Sequence, residues 1–303
     1  MMAVYHTPVL STHIAALAQH RSRLVDCTVG GGGHAATLVR YGGELLAIDR
    51  DPEAIEQARK TVASSRVRWL NCNFADDRAL GAIREFRPDF VLFDLGVSGH
   101  QLDCDGRGFS FRPGVQLDMR MGEEDTNAAE MLNDLPHSSL TAVFREGADE
   151  RRSRELATAI VRRRQNSPFR TSDDLVNAIR SVLGPRSGPS DFARIFQALR
   201  MAVNSEQAAL QVALPAVLQA LVPQGIMAVI SYHSGEDRIV KSFFREWARS
   251  CVCAPAVPVC SCRGRALGHM DPRKGIQPTD DEVARNPRAR SARLRVFVKA
   301  NAC

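Results

Sequence analysis

Two acidic residues and a run of glycines near the N-terminus have the types and spacing of a nucleotide-binding site. Asp26 follows the apolar residues 24–25, and the four glycines 30–33 precede a segment with helical character. Glycines at such a bend let the backbone approach a ligand closely, and the following helix start offers N–H groups. Asp49 ends the next apolar segment, 45–48. This order of strand, glycine-rich turn, helix, strand and acid predicts a βαβ unit that binds an adenosine-containing cofactor.

The glycine pattern leaves two cofactors open. Gly30, Gly32 and Ala35 fit the G-x-G-x-x-G/A pattern of dinucleotide folds, and Asp49 lies near the position of their ribose-binding acid. Asp26 argues against a dinucleotide, because a carboxylate at this place would repel a pyrophosphate. S-adenosylmethionine has no phosphate and carries a sulfonium and an ammonium, so a carboxylate suits it. A P-loop is excluded, because no Gly-Lys-Ser/Thr follows the glycines.

Further polar residues follow apolar segments later in the chain. Asp94 ends the run 90–93, and His233 and Ser234 follow the predicted strand 226–231. Ligands of open α/β sheets bind at the carboxyl ends of the strands, so we expect these residues at the edge that carries the glycine loop. His233 is a candidate for contact with the substrate, whereas Ser234 is expected to cap the next helix. A Ser-His hydrolase is excluded, because no G-x-S-x-G segment accompanies the pair.

Four of the eight cysteines form a separate cluster. They follow the pattern C-x-C-x6-C-x-C and are Cys251, Cys253, Cys260 and Cys262. Clustered thiols in a reducing compartment suggest tetrahedral zinc, although zinc sites more often use C-x2-C. Thiols without a metal and an oxidisable pair are the alternatives, and the sequence does not decide among the three.

Arginine is concentrated in one predicted helical segment. Between residues 151 and 164 a single acid, Glu155, accompanies six arginines: Arg151, Arg152, Arg154, Arg162, Arg163 and Arg164. A solvated helix face usually mixes both signs of charge through i,i+4 pairs. Charge of one sign favours phosphate binding, so we predict that this segment contacts RNA.

Composition and length are those of an ordinary globular protein. The chain has 303 residues, of which 44% are hydrophobic and 24% charged, and it can form one large domain or two smaller ones. No run of eighteen apolar residues and no export signal is recognisable, so we expect a cytoplasmic protein without a membrane span. The net charge of +6 is consistent with a polyanionic partner.

The pattern of apolar residues divides the chain into three parts. From about residue 24 to 94, short apolar segments alternate with helical ones, which predicts a parallel α/β arrangement. Helical periodicity then dominates to about residue 213, and strand patterns return at 226–231 and 292–299. We therefore expect an α/β core made of residues 1–110 and 206–303. An all-helical domain at 111–205, which would recognise the substrate, interrupts it.

Several longer motifs resemble one family, the bacterial small-subunit ribosomal RNA cytosine-N4 methyltransferases, known as RsmH or MraW. The matching segments are 6–10 (HTPVL), 26–34 (DCTVGGGGH), 47–52 (AIDRDP), 94–98 (DLGVS), 101–103 (QLD), 107–111 (RGFSF), 117–121 (LDMRM), 196–200 (FQALR), 230–234 (ISYHS), 236–241 (EDRIVK) and 286–288 (NPR). They extend over nearly the whole chain. Departures are small: Gly99 and His100 replace Ser-Pro, Tyr232 replaces Phe, and Gly235 replaces Leu.

The resemblance implies a fold, a reaction and a set of residues. It implies a class I methyltransferase core of Rossmann-like α/β type with a helical insertion, S-adenosylmethionine as cofactor, and methylation of a cytidine in the decoding region of 16S rRNA. The partner would be 16S rRNA within the small ribosomal subunit. Carried over by position, the cofactor-binding residues are Gly32, Gly33, His34, Asp49, Phe74, Asp94 and Gln101. Asp26 and Gly30 join them from the glycine-loop pattern.

The predicted methyl transfer requires a hydrogen-bond acceptor beside the amine, and Asp94 is the candidate. The exocyclic amine of cytosine is a poor nucleophile, and an acceptor beside its protons would let the nitrogen aim at the methyl group. Many amino-methyltransferases have Asp/Ser/Asn-Pro-Pro-aromatic at this strand end, whereas here the sequence is DLGV at 94–97. The base must therefore stack elsewhere, with Phe109, Phe111 and Tyr232 as the candidates.

Two other classes of function stay open at this point. One is a nicotinamide oxidoreductase, which Asp26 disfavours. The other is a ribosome-binding or assembly factor that senses the cofactor without turnover. A homodimer is also left open.

Overall fold

The computed structural model describes residues 8–41, 43–98, 101, 105–122, 126–253, 259 and 261–301. Within these residues the chain forms two compact units. The first contains residues up to Gly96 and those from Gln207 onward, and the second comprises Val97–Glu206. Helices and strands are numbered below in chain order within the described residues.

Seven strands in the described residues form a single sheet. They are β1 (Arg23–Asp26), β2 (Glu44–Asp49), β3 (Val67–Asn71), β4 (Phe90–Asp94), β5 (Ile226–Ser231), β6 (Gly268–Met270) and β7 (Arg293–Lys299). Their spatial order is β3-β2-β1-β4-β5-β7-β6. The first five are parallel to one another, whereas β7 is antiparallel to both β5 and β6. This is the α/β arrangement of class I methyltransferases, as the resemblance predicts.

The central strands are apolar throughout because both faces of the sheet are covered. In β4, Phe90 and Leu92 pack in one hydrophobic core, whereas Val91 and Phe93 pack in a second. Successive side chains of a strand point to opposite faces, so the two cores lie on the two sides of the sheet. Strands buried on both faces appear as continuous apolar runs.

The described helices connect the strands and build the second unit. They are α1 (Ser11–Ala18), α2 (Gly33–Val39), α3 (Pro52–Thr61), α4 (Asp77–Phe86), α5 (Ala128–Asp134), α6 (His137–Ala148), α7 (Ser153–Arg164), α8 (Ser172–Leu183), α9 (Pro189–Val203), α10 (Glu206–Ala220), α11 (Ser234–Trp247) and α12 (Asp280–Arg285). The longest have 15 residues, and among the described residues none has the length and apolar character needed to cross a membrane.

The second unit has its own hydrophobic core. Helices α5 to α9 contribute most of it, with Phe144 and Ile160 fully buried at the centre. Phe109 and Leu117 also belong to this core, and Val97 packs against it. The unit therefore begins at Val97, ahead of the start that we expected at residue 111, because the apolar residues before α5 pack on the helices.

Candidate active site

Three carboxylates stand at the carboxyl ends of adjacent parallel strands. Asp26 ends β1, Asp49 ends β2 and Asp94 ends β4. Strand β1 lies between the other two, and Asp26 is in register with Ala47 of β2 and Leu92 of β4. The three acids are close enough for Asp49 and Asp94 to act on the charge of Asp26. One edge of the sheet therefore carries a concentrated negative charge.

Asp26 is the most deeply placed of these acids. It is fully buried, and its Oδ1 accepts a hydrogen bond from the Thr28 N–H at 3.1 Å. Its Oδ2 makes no hydrogen bond with any described residue. Burial raises the pKa of Asp26 to about 7, opposed by the positive charge of His34 and supported by the two neighbouring acids. A buried carboxylate oxygen without a donor favours a cationic ligand group beside it.

Asp49 is tied directly to the glycine loop. Its Oδ2 accepts from the Gly30 N–H at 2.8 Å, and its Oδ1 accepts from the Asp51 N–H at 2.9 Å. Burial raises the pKa of this carboxyl to about 6, while the two backbone donors oppose the rise. Each carboxylate oxygen keeps further acceptor capacity, so Asp49 can still receive ribose hydroxyls.

The glycine loop has a backbone that a side chain would disturb. Gly32 has φ of 87°, and a Cβ there would lie 3.0 Å from the Ala58 Cα in α3. Gly30 has φ of 50°, and a Cβ there would meet no atom within 4 Å. The loop is thus packed tightly on α3 at Gly32 but borders open space at Gly30, where a ligand can approach the backbone.

His34 lies in the first turn of α2 and is buried. Its Nε2 lies 3.3 Å from Asp94 Oδ2, and its Nδ1 makes no hydrogen bond with any described residue. Burial alone would lower the pKa of His34, but the hydrogen bond and charge of Asp94, together with Asp26, raise it above the ordinary value. His34 therefore offsets part of the negative charge and keeps one ring nitrogen for a ligand.

Asp94 is held on three sides. Its Oδ1 accepts from the Tyr232 hydroxyl at 2.9 Å, its Oδ2 faces His34, and its N–H donates to Thr28 Oγ1 at 2.7 Å. Its side chain is 9% exposed. These roles of Thr28 and Tyr232 are not predictable from the sequence, because both contacts depend on how β1, β4 and β5 lie side by side. Tyr232 follows β5 directly, which is the one sequence signal that places it at this edge.

The other predicted cofactor-binding residues lie in different surroundings. Gly33 begins α2. Phe74 follows β3, is half-buried, and packs edge-to-face on Phe93 with ring centroids 5.3 Å apart. Gln101 is buried in the second unit, where its Oε1 accepts from the Ser98 N–H at 2.9 Å.

His233, rather than the expected Ser234, caps α11. Its Nδ1 accepts from the Glu236 N–H at 3.3 Å, and its Nε2 lies 3.1 Å from Glu236 Oε1. Glu236 Oε2 in turn accepts from the Tyr232 N–H at 3.0 Å. Both ring nitrogens of His233 therefore face the helix terminus, and substrate contact by His233 stays a prediction without geometric support.

Comparison with known proteins decides between the two cofactors left open. A family model described as the MraW methylase family matches residues 3–300. A ribosomal RNA small subunit methyltransferase H from Gemmatimonas aurantiaca is 50% identical over 301 residues, covering 98% of this chain and 96% of that protein. One from Heliobacterium modesticaldum is 41% identical over 314 residues, covering 98% and 99%. The chain belongs to the MraW methylase family.

Among solved structures, an rRNA methylase from Streptococcus thermophilus is 10% identical to this chain with a TM-score of 0.41. The match covers 96% of this chain and 94% of that one.

The MraW methylase family uses S-adenosylmethionine, and the residues present fit that cofactor. Asp26 Oδ2 and His34 Nδ1 are buried polar atoms without hydrogen bonds among the described residues. The acidic edge suits a ligand that carries a sulfonium and an ammonium and would repel a pyrophosphate. Asp49 would hold the ribose hydroxyls, Phe74 would pack on the adenine, and Asp26 would face a cationic group.

Three of the six predicted RNA-binding arginines are engaged within the second unit. Arg152 pairs with Glu155, and Arg163 pairs with Asp174 of α8. Arg164 donates to two backbone carbonyls at the end of α5, at 2.9 and 2.8 Å. These three side chains therefore stabilise the helical unit itself.

The other three are exposed. Arg151, Arg154 and Arg162 make no side-chain hydrogen bond or ion pair within the described part of the chain. Arg154 and Arg162 are eight residues apart on α7 and so lie on the same face. Arg162 also borders a cleft of about 530 Å³, whose lining is Glu155, Thr158, Ala159, Arg162, Arg163, Asn166, Ser181 and Val182.

Three cysteines of the predicted zinc set come together after α11. Cys251, Cys253 and Cys262 have sulfurs within 4.8 Å of one another. Cys260, the fourth member, lies outside the described residues.

The ionisation of Asp26 predicts that cofactor binding depends on pH. Below about pH 7 Asp26 holds a proton in the free protein, and a bound cation favours its ionised form. Affinity for S-adenosylmethionine should therefore rise about tenfold between about pH 6 and about pH 8. His34 loses its positive charge as the pH rises, which also increases the affinity for a cationic ligand. Titration calorimetry at several pH values measures this.

The matched variants are Asp26→Asn, which should reduce the pH dependence, and Glu85→Gln, an exposed acid on α4 that should keep it. Affinity that falls as the pH rises, or an unchanged dependence in Asp26→Asn, would contradict the account.

The hydroxyl of Tyr232 predicts a selective kinetic effect. Tyr232→Phe removes one hydrogen bond to the Asp94 carboxylate, and such bonds contribute about 1.5–3 kcal/mol. Because Asp94 keeps its contacts with His34 and Thr28, we expect the low end, a fall in kcat of about tenfold. The dissociation constant of the cofactor should stay within about threefold, since Asp26 and Asp49 are untouched. Single-turnover kinetics beside Tyr41→Phe, an exposed control, tests this. An unchanged kcat would refute it.

Proposed function

We propose that this methyltransferase modifies the exocyclic N4 amine of a cytidine in the decoding region of small-subunit rRNA. Small-subunit rRNA as substrate is supported by the names of the relatives, which are ribosomal RNA small subunit methyltransferases. The choice of an exocyclic amine rests on one observation, the position of Asp94. Its carboxylate stands at the carboxyl end of β4 and is fixed by Tyr232, His34 and Thr28.

An amine of this kind needs an acceptor held in place. The lone pair of the cytosine amine is delocalised into the ring, so the nitrogen attacks only when it turns pyramidal. A carboxylate that accepts a hydrogen bond from one amine proton favours that geometry and fixes the direction of attack. S-adenosylmethionine, when bound, supplies an electrophilic methyl group on a positively charged sulfur.

Asp94 keeps the capacity for this task. A carboxylate offers about four lone-pair directions, and the Tyr232 hydroxyl and His34 occupy two of them. A further direction accepts the amine proton. The amine nitrogen would gain positive charge as it accepts the methyl group that the cofactor supplies, and its proton would pass to Asp94 and then to water. Tyr232 and His34 hold the carboxylate still, so little reorganisation accompanies the transfer.

His233 has a supporting role in this proposal. Its ring fixes the start of α11 together with Glu236, and Glu236 holds the backbone of Tyr232. His233 would thus act on Asp94 through Tyr232 and would not touch the substrate.

RNA binding is assigned to the exposed arginines of the helical unit. Arg154 and Arg162 present guanidinium groups on one face of α7, where the phosphates of an RNA strand can reach them. Thr158 lies between them, but its hydroxyl donates to the Arg154 carbonyl at 2.9 Å, so the two arginines carry this surface. Arg163 is already paired with Asp174 and is left out of this surface.

The proposed reaction is tested by mapping the methyl group. Purified chain and S-adenosylmethionine should convert one cytidine of small-subunit rRNA, taken from a strain lacking the gene, to N4-methylcytidine. Nuclease digestion, chromatography and mass spectrometry separate this product from 5-methylcytidine. Protein-free 16S rRNA and assembled subunits are assayed in parallel to identify the accepted form.

Asp94→Ala should lower kcat at least about a hundredfold, because it removes the acceptor. Glu85→Ala should keep full activity, since this exposed residue lies on α4. Methyl transfer to a ring carbon or a ribose, or full turnover by Asp94→Ala, would refute the proposal.

Removal of Arg154 and Arg162 is expected to change both the RNA affinity and its dependence on salt concentration. The double substitution Arg154→Ala and Arg162→Ala should weaken RNA binding roughly tenfold. It should also reduce the salt slope by roughly one to two, since each arginine neutralises about one phosphate. Fluorescence anisotropy over a salt series measures both. Arg145→Ala removes an exposed arginine of α6 outside the cleft and should leave both nearly unchanged. If Arg145→Ala weakened RNA binding as much as the double substitution does, net charge alone would explain the RNA affinity, and the proposed surface would be wrong.

A further inference from the structure

In the loop between α11 and β6, the part that returns toward β6, residues 261–267, is hydrogen-bonded to the terminus of α11. The Leu267 N–H donates to the Trp247 carbonyl at 2.8 Å. The guanidinium of Arg263 donates to the Glu246 carbonyl, to Glu246 Oε1 at 3.2 Å and to the Arg249 carbonyl at 3.2 Å. These bonds satisfy carbonyls at the helix end and bring the returning part of the loop beside its outgoing part.

Three cysteine sulfurs meet where these two parts run together. Cys251 and Cys253 lie on the outgoing part, Cys262 on the returning part, and the three sulfurs are within 4.8 Å of one another. The Sγ atoms of Cys251 and Cys262 are 3.9 Å apart. A disulfide needs about 2.05 Å. A tetrahedral zinc with Zn–S bonds of about 2.3 Å places its sulfurs about 3.8 Å apart. The observed separation therefore has the dimension of one edge of a zinc–thiolate tetrahedron.

A backbone donor and basic residues lie beside the sulfurs. The Val252 N–H donates to Cys262 Sγ at 3.3 Å. Hydrogen bonds of this kind orient the ligands of a metal site. Arg249, Arg263 and Arg265 belong to the same loop, so positive charge is available to offset several thiolates.

We propose that Cys251, Cys253 and Cys262 bind a structural zinc ion that ties the two parts of this loop together. Cys260 is two residues before Cys262 in the C-x-C-x6-C-x-C pattern and supplies a fourth thiol by sequence. Soft thiolate ligands select zinc over magnesium or calcium. Cysteine-rich zinc sites are structural rather than catalytic, so the ion would fix the loop and take no part in methyl transfer.

Metal content is the direct test. Protein purified under reducing conditions, or reconstituted anaerobically with zinc alone, should contain about one zinc per chain by elemental mass spectrometry. Cys251→Ser and Cys262→Ser should each lose most of it. Cys72→Ser changes a thiol outside the cluster and should keep it. Cobalt-substituted protein should show the intense visible and charge-transfer bands of a tetrahedral thiolate site, weakened in both cluster variants.

A second readout follows the loop itself. Removal of zinc by a chelator should speed tryptic cleavage after the exposed Arg265 about tenfold or more, and added zinc should reverse this. Less than about a tenth of a zinc per chain after reconstitution, equal zinc in Cys251→Ser, bound iron, or a Cys251–Cys262 disulfide in protein kept anaerobic would each overturn the proposal. None of these measurements depends on methyl transfer, so they stand apart from the proposed function.

Discussion

The active site depends on the negative charge that three parallel strands bring to one edge of the sheet. Asp26, Asp49 and Asp94 end β1, β2 and β4, so their positions follow from strand register rather than from loop conformation. Burying carboxylates side by side is costly unless cations or hydrogen bonds compensate. The protein supplies backbone donors and one histidine, and it still leaves Asp26 with a raised pKa and an oxygen without a donor. A cationic cofactor would supply the missing compensation, which would connect the fold to the choice of S-adenosylmethionine.

The elements around this edge have different structural roles. The glycine loop lets the backbone turn on α3 and approach the ligand, and Asp49 holds that loop through Gly30. Thr28 joins the end of β1 to the end of β4, and Tyr232 joins the end of β5 to Asp94. The reacting edge is therefore fixed by hydrogen bonds between neighbouring strand ends.

Local sequence signals predicted the parts of the fold that local physics decides. Continuous apolar runs identify β1, β2, β4 and β5, because those strands are buried on both faces. Strand β3 mixes Arg68 and Asn71 with apolar residues, so its pattern is weak. The start of the helical unit was harder to place, since the residues from Val97 join its core only through long-range packing. The antiparallel direction of β7 depends on the path of the chain between β5 and β7. Hydrophobic periodicity carries no information about that path.

In the active site, too, the sequence predicts some features, whereas long-range packing determines others. Asp26, Gly32, His34, Asp49 and Asp94 follow from motif and strand-end position. Which partner each one has does not, because Thr28 is 66 residues from Asp94 in sequence and Tyr232 is 138. Three of the six arginines turn out to be paired inside the helical unit, a distinction that charge counting along a helix does not make. The sequence predicts the chemistry that is available, whereas the packed structure determines which groups remain for a ligand.

A crystal structure of the chain with S-adenosylhomocysteine bound tests the central claim most directly. The account predicts the ribose hydroxyls on Asp49, the adenine beside Phe74, and a sulfur position that aims a methyl group toward Asp94. It also predicts that the amino group of the ligand lies within hydrogen-bonding distance of Asp26 Oδ2. A ligand bound away from the ends of β1, β2 and β4, or one whose amino group avoids Asp26, would contradict the claim that these carboxylates select the cofactor.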